Sequence, residues 1–204
     1  MVNNIIFGLT GLSGAGKSTA AVELAAEGCA VVDCDVLAHR VVEKNEECKT
    51  ALAERFGQDI LDEKRKQNRK LLGSRAFSGP EETKALNEIT HPYILSAVRE
   101  EIHKLKEAQK RYIVLDAPTL LESGCGELCD FILVVTAPFQ TRKERICLRD
   151  SLTEEEAEKR LSAQPPEEFY TDHADFVLDG TAEAPNLIRK IRTILKTIEG
   201  GYDA

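Results

Sequence analysis

The sequence has few long apolar runs and no excess of positive charge. No apolar run approaches the roughly 20 residues that a membrane-spanning helix needs, so we expect no membrane partner. The N-terminus, residues 1–4, lacks the basic flank of a secretory signal, which favours a cytoplasmic location. The 204 residues include 27 Lys and Arg against 35 Asp and Glu, a net charge of −8. This balance excludes duplex nucleic acid as an expected partner, because such binding requires phosphates to be neutralised.

A zinc-binding cysteine pattern is also missing. Cys125 and Cys129 are separated by three residues instead of two, and no histidine follows at a suitable distance. The six cysteines are therefore expected to be reduced and mostly buried thiols. The sequence also lacks internal repeats and low-complexity linkers, which favours one core with helical attachments.

Short apolar runs alternate with helical patterns, which predicts a mostly parallel five-stranded α/β sheet. The predicted strands are residues 5–10, 30–33, 112–116, 131–135 and 176–178. Residues 34–111 contain no convincing strand and are too long for a simple crossover, so they are expected to form a helical insertion. Within them, Pro92 is expected in the first turn of a helix. A second helical excursion is expected near residues 139–174, with a capping box from Thr153 to Glu156.

The segment 11–18 reads GLSGAGKS and matches the pattern G-x-x-x-x-G-K-[ST]. Its glycines let consecutive N–H groups turn toward a phosphate, and the following helix directs its positive end to the same place. Lys17 can reach the β- and γ-phosphates, and the Ser18 hydroxyl can ligate Mg²⁺. The motif follows a predicted strand and opens a predicted helix over residues 17–27. The sequence therefore predicts binding of a nucleoside triphosphate.

Carboxylates follow two of the other predicted strands. Asp33 and Asp35 are two residues apart, and residues so spaced on a strand share a face, so both are expected to enter the phosphate crevice. One would accept a proton from an attacking hydroxyl, and the other would hold Mg²⁺ through water. The alternative is that Asp35 caps the helix over residues 36–42 while Asp33 is solvated. Asp116 ends a further strand and suits a direct or water-mediated role at Mg²⁺.

Two groups of cations have open interpretations. Arg145 and Arg149 are four residues apart and share a helix face, which suits a lid over the γ-phosphate. The same helix would equally suit a solvated position, with Glu144 and Asp150 as partners. The run 64–70 reads KRKQNRK and places five positive charges in seven residues. Such a run is usually solvated surface, and otherwise it could meet a polyanionic acceptor.

Several segments of the sequence, taken in chain order, are similar to segments of the dephospho-CoA kinase family. Members of this family phosphorylate the 3′-hydroxyl of dephospho-CoA. The resemblance extends to about residue 198 and rests on the segments 8–19, 32–35, 38–40, 90–94 and 115–122, with Arg145, Arg149-Asp150 and Gln164. Thr119 and Gly180 depart from the family pattern, where leucine and asparagine are usual. The GTPase patterns D-x-x-G and N-K-x-D are absent, which disfavours a nucleotide-dependent switch. Another P-loop small-molecule kinase, acting on a nucleotide or sugar, is the alternative.

The resemblance implies a P-loop NTPase-type three-layer α/β/α core of residues 1–39, 109–138 and 173–204. It implies an acceptor-binding insertion at 40–108 and a lid at 139–172. The implied substrates are ATP and dephospho-CoA, with Mg²⁺, in a monomer or small homo-oligomer. The implied catalytic residues are Asp35, Lys17, Arg145 and Asp33. The implied nucleotide-binding residues are Gly11, Ser13, Gly14, Ala15, Gly16, Lys17, Ser18, Thr19 and Arg149. The implied acceptor-binding residues are Asp35, Arg69, His91, Pro118 and Glu122, and the implied metal residues are Ser18 and Asp116.

Overall fold

The computed structural model describes residues 4–202 as a five-stranded sheet with helices. The strands are β1 (Ile5–Gly11), β2 (Ala30–Asp33), β3 (Tyr112–Asp116), β4 (Phe131–Thr136) and β5 (Phe176–Asp179). The helices are α1 (Lys17–Ala26), α2 (Cys34–Lys44), α3 (Glu46–Phe56), α4 (Arg69–Ala76), α5 (Pro80–Glu107), α6 (Phe139–Asp150), α7 (Glu154–Ser162), α8 (Glu167–Thr171) and α9 (Ala184–Tyr202). The strand order is β2-β3-β1-β4-β5, and β1 runs parallel to both β3 and β4. The predicted α/β fold is confirmed.

The chain divides into two compact units. The sheet unit comprises Met1–Val32 and Leu105–Ala204, and the helical unit comprises Asp33–Lys104. The core of the sheet unit is built on β1, all seven residues of which are buried. The last helix, α9, packs into this core through its buried residues Leu187, Ile191, Ile194, Leu195 and Ile198. These apolar residues recur at the period of one face of a helix.

The helical unit has an apolar cluster of its own. Leu52, Phe56, Ile60 and Leu72 are buried together with smaller side chains of α3 and α4. Asparagine side chains begin both helices, since Asn45 accepts from the Cys48 N–H and Asn68 from the Leu71 N–H, at 2.8 and 3.1 Å. Within residues 34–111 the described backbone forms no strand, apart from one isolated bridge between residues 61 and 67. The predicted absence of strands from this stretch is confirmed.

The prediction that Pro92 starts a helix is wrong. Pro92 lies inside α5, which runs for 28 residues, and Pro80 stands at its beginning instead. Proline suits a first helical position because its missing N–H would have no partner there. At Pro92 the helix continues without one backbone hydrogen bond, with Val98 and Ile102 buried farther along it.

The second helical excursion is confirmed as α6, α7 and α8. Its predicted capping box is present, because the Thr153 N–H donates to Glu156 Oε2 at 2.9 Å and the Glu156 N–H donates to Thr153 Oγ1 at 3.3 Å. None of the six cysteines forms a disulfide bond, and four of them are buried. Within residues 4–202, no helix combines the length and the apolar character that crossing a bilayer requires.

Candidate active site

The phosphate-binding motif forms the turn between β1 and α1. Gly14 and Gly16 have φ values of 78° and 109°, in the left-handed region that favours glycine. A Cβ on Gly14 would lie 2.7 Å from the Arg142 carbonyl oxygen, so the loop also approaches α6 closely. Gly16 is the N-cap of α1 and provides no side-chain hydrogen bond to the helix. The N–H groups of the first turn are therefore left for an anion.

Lys17 is paired with Asp116 in the sheet unit. The ammonium group makes an ion pair with Asp116 Oδ1, and the two side chains are only 18 % and 13 % exposed. Asp116 is the last residue of β3 and stands beside Leu9 of β1, so the parallel register brings its carboxylate to the loop. This arrangement holds the lysine at the mouth of the loop, where a phosphate would compete with the carboxylate for its charge.

Arg145 of α6 contacts the loop through backbone carbonyls. Its Nη1 donates to the oxygens of Gly14 and Ala15 at 3.1 and 3.3 Å, and its Nη2 donates to the oxygen of Gly180 at 3.0 Å. One guanidinium group thus joins the phosphate loop to the turn after β5. Its role as a phosphate ligand stays a prediction.

Gly180 is packed against the phosphate loop. A Cβ placed on this residue would lie 1.6 Å from the Ala15 carbonyl oxygen and 3.0 Å from a methyl group of Val135. Backbone atoms cannot give way by that amount, so this arrangement of the loop requires glycine at position 180. The departure from the asparagine of the family pattern therefore has a local structural reason.

The segment after α7 also reaches the loop. Gln164 Oε1 accepts a hydrogen bond from the Ser13 N–H at 3.1 Å, across 151 positions of sequence. Two neighbouring arginines are engaged elsewhere, because Arg149 and Arg160 both donate hydrogen bonds to Asp150, at 2.8 and 2.7 Å. The hydrogen-bonded Arg149 lowers the pKa of the Asp150 carboxyl. Arg149 thus has the Asp150 partner that the solvated-helix interpretation expected.

Pro118 and Glu122, which both follow β3 in the chain, accept hydrogen bonds from side chains elsewhere in the sheet unit. The Thr10 hydroxyl of β1 donates to the Pro118 carbonyl oxygen at 3.1 Å. The Tyr170 hydroxyl of α8 donates to Glu122 Oε1 at 3.3 Å. Thr119, the other departure from the family pattern, is exposed, and its carbonyl oxygen accepts from the Ser123 N–H at 2.9 Å.

The expectation that Asp33 and Asp35 share a strand face is wrong. β2 ends at Asp33 and α2 begins at Cys34, so the two residues do not follow strand spacing. Asp33 is the N-cap of α2, with its Oδ1 accepting from the Val36 N–H at 2.9 Å. Asp35 lies exposed in the first turn of that helix. The alternative, in which Asp35 caps the helix and Asp33 is solvated, assigns these two roles the wrong way round, because Asp33 is the residue that caps α2.

The remaining predicted residues lie in the helical unit. Arg69 begins α4 and donates to Glu43 Oε2 at 3.0 Å, and His91 lies within α5 beside Pro92. We call residues 64–70 the basic turn. It is ordered by Asp62, whose Oδ1 accepts from the N–H groups of Lys64 and Lys66 at 2.9 and 2.8 Å.

No pattern in the sequence singles out Tyr170, and Gln164 enters only through the family resemblance. Arg142 is one of the arginines that the sequence places in the second helical excursion. Arg142 is 7 % exposed, donates from Nε to the Ala137 carbonyl oxygen at 3.0 Å, and has a pKa lowered by burial. No signal in the sequence separates Arg142 from the half-buried Arg145 and the exposed Arg149 of the same helix. The contacts of Tyr170 and Gln164 join distant segments and leave no local pattern.

Comparison with known proteins gives a consistent result. The family model described as dephospho-CoA kinase matches residues 5–186. A dephospho-CoA kinase of Anaeromyxobacter dehalogenans is 37 % identical over 196 residues, covering 96 % of this chain and 93 % of its relative. A dephospho-CoA kinase of Idiomarina loihiensis is 35 % identical, covering 93 % and 92 %. The solved dephospho-CoA kinase of Campylobacter jejuni superposes with a TM-score of 0.70 at 27 % identity, covering 97 % and 98 %.

Proposed function

The chain belongs to the dephospho-CoA kinase family, and we propose that it transfers the γ-phosphoryl group of ATP to the ribose 3′-hydroxyl of dephospho-CoA. The products are CoA and ADP, and the reaction is the final step of CoA biosynthesis. The observation that carries this proposal is the phosphate loop with Lys17 and Asp116, in a chain whose match to the family model extends over residues 5–186.

The loop supports binding of the triphosphate in the sheet unit. The N–H groups of Gly14 and of residues 16–19 would donate to the phosphate oxygens, and Lys17 would contact the β- and γ-phosphates. Arg145 holds the Gly14 and Ala15 carbonyls and so supports the shape of this cradle. Residues 139–172, which carry Arg145 and Arg149, would act as the lid that excludes water during transfer.

The residues at the loop fit Mg²⁺. Ser18 is exposed in the first turn of α1, and Asp116 presents a carboxylate at the end of β3, so both supply the oxygen donors that Mg²⁺ prefers. When bound, the ion would neutralise charge on the β- and γ-phosphate oxygens.

For the acceptor, we propose Asp35 as the general base. Its exposed carboxylate would accept the proton of the 3′-hydroxyl as the hydroxyl oxygen bonds to the γ-phosphorus and the bond to ADP breaks. Asp33 would act through the α2 cap that it forms. The helical unit would bind dephospho-CoA, with Arg69 and His91 as candidate contacts. Pro118 and Glu122 are the candidate contacts in the sheet unit. Location in the cytoplasm and assembly as a monomer or small homo-oligomer stay predictions.

An acceptor panel tests this function directly. The full chain is incubated with ATP, Mg²⁺ and, separately, dephospho-CoA, nucleoside monophosphates or sugars, and the products are analysed by mass spectrometry and ³¹P NMR. We expect phosphorylation of dephospho-CoA at its 3′-hydroxyl. Preferential phosphorylation of another acceptor would show a different small-molecule kinase. Slow hydrolysis of ATP, with no phosphorylated small molecule, would show a nucleotide-dependent switch protein.

A further inference from the structure

Tyr170 is a buried side chain with a hydroxyl group directed at an exposed carboxylate. It is 2 % exposed, belongs to α8, and packs edge-on against Phe169 with ring centroids 5.2 Å apart. Its hydroxyl lies 3.3 Å from Oε1 of Glu122, which is exposed at the surface. The contact joins α8 to the turn that follows β3.

The proton in this contact belongs to the tyrosine. Burial, followed by the negative charge of Glu122, raises the pKa of Tyr170 to about 12, so the phenol stays protonated at neutral pH. A carboxylate can only accept hydrogen bonds, so Tyr170 donates and Oε1 of Glu122 accepts. The bond takes up one oxygen of Glu122 and leaves Oε2 for another donor.

Glu122 lies on the side of the sheet where a ligand is expected. It follows Asp116, the partner of Lys17, and Pro118, which is bonded to Thr10 of β1. Ligands of open parallel sheets bind outside the carboxyl ends of the strands, and β3 ends at Asp116. A carboxylate there would repel phosphate and attract a neutral N–H or O–H donor.

We propose that Tyr170 is a positioning residue that orients Glu122, so that Oε2 accepts a hydrogen bond from a neutral N–H or O–H group of the acceptor. The inference rests on the proposed function, in which Glu122 contacts dephospho-CoA. Glu122 would then contact a polar, uncharged part of that molecule, such as an amine, an amide or a hydroxyl. Through Tyr170, α8 would contribute to the specificity for the acceptor.

The chain contains a matched control for this pair. Tyr112 also donates to a glutamate, Glu199 Oε1, at 2.5 Å, and burial raises its pKa as well. Tyr112 is the first residue of β3, at the opposite end of the strand from Asp116. Replacing either tyrosine with phenylalanine removes one hydroxyl and keeps the ring.

The test compares Tyr170→Phe with Tyr112→Phe in the full chain by steady-state kinetics. We expect Tyr170→Phe to raise the KM for dephospho-CoA about fivefold, as the loss of one hydrogen bond allows, with kcat and the KM for ATP within about twofold of the wild-type values. Tyr112→Phe should leave all three constants unchanged. An unchanged KM for dephospho-CoA in Tyr170→Phe overturns the inference, as does an equal rise in both KM values.

Glu122→Ala separates this inference from the proposed function, because it removes both acceptor oxygens of the side chain. If Glu122→Ala raises the KM for dephospho-CoA and Tyr170→Phe does not, only the role of Tyr170 is wrong. If Glu122→Ala also has no effect, Glu122 does not contact the acceptor and both the inference and that part of the site are wrong, while the acceptor panel still tests the reaction. With Tyr170 acting through Glu122, the double variant should be no worse than Glu122→Ala alone.

Discussion

The phosphate loop and the basic turn use positive charge in opposite ways. The loop contains a single cation, Lys17, which is mostly buried and paired with Asp116. The basic turn contains five cations in seven residues, but two of them are engaged at the surface of their own unit. Arg65 binds Glu46 at 2.6 Å and Arg69 binds Glu43 at 3.0 Å.

From this difference we infer that the density of charge in a sequence does not by itself predict an anion site. At the loop, backbone N–H groups and one lysine converge on a concave turn, where partial burial strengthens each interaction. At the turn, exposed ion pairs are screened by water and salt and contribute little. In a chain with a net charge of −8, we infer that anion binding depends on converging geometry more than on the number of cations.

Removing the lysine of the loop should have the largest effect. Lys17→Ala is expected to lower kcat at least about 100-fold, because the charge on the transferring phosphoryl group loses a preorganised partner. The measurement is the initial rate of ADP formation at saturating substrates. Lys84→Ala is the control, since Lys84 is exposed and 3.8 Å from Glu88. Equal rates in the two variants would contradict the role of the loop.

Asp35→Asn tests whether the helical unit supplies the general base of the reaction. Loss of a general base is expected to lower kcat by about 100-fold or more. Asp33→Asn is the matched control, because asparagine caps helices as well as aspartate does, so both stability and activity should change less. Steady-state rates and thermal melting measure the two effects. A near-normal kcat in Asp35→Asn would remove Asp35 from the role of base.

Gly180→Ala perturbs the loop without changing any charge. The added methyl group would meet the Ala15 carbonyl oxygen, so the loop must shift, and we expect the KM for ATP to rise about tenfold. Gly79→Ala is the control, since no atom lies within 4 Å of the Cβ it would add. An unchanged KM for ATP in Gly180→Ala would show that the loop does not depend on this close packing.

Neutralising the basic turn should have the smallest effect. Replacing Lys64, Lys66 and Lys70 with Gln is expected to raise the KM for dephospho-CoA about twofold and to leave the KM for ATP unchanged. The effect should diminish at high ionic strength. If neither KM changes, the turn is only solvated surface. Replacing Arg65 instead should leave both KM values unchanged, because its guanidinium group is already paired with Glu46.

The sequence predicted the fold and the phosphate loop because both depend on local patterns. The strand and helix periods, the glycine-rich turn and the capping box each lie within a short segment. The failures have equally physical reasons: α2 begins two residues earlier than the strand spacing of Asp33 and Asp35 assumed, and α5 continues through Pro92. The contacts of Gln164 with Ser13 and of Tyr170 with Glu122 bridge 151 and 48 positions, so no local pattern contains them.

The dependence of ATP binding on Lys17 and not on the basic turn is tested most directly by a calorimetric titration of three proteins with a non-hydrolysable ATP analogue and Mg²⁺. The proteins are the wild-type chain, Lys17→Ala and the variant in which Lys64, Lys66 and Lys70 are Gln. We expect Lys17→Ala to weaken binding about tenfold or more, and the triple variant to bind within about twofold of wild type. A triple variant that loses as much affinity as Lys17→Ala would contradict the role assigned to the phosphate loop.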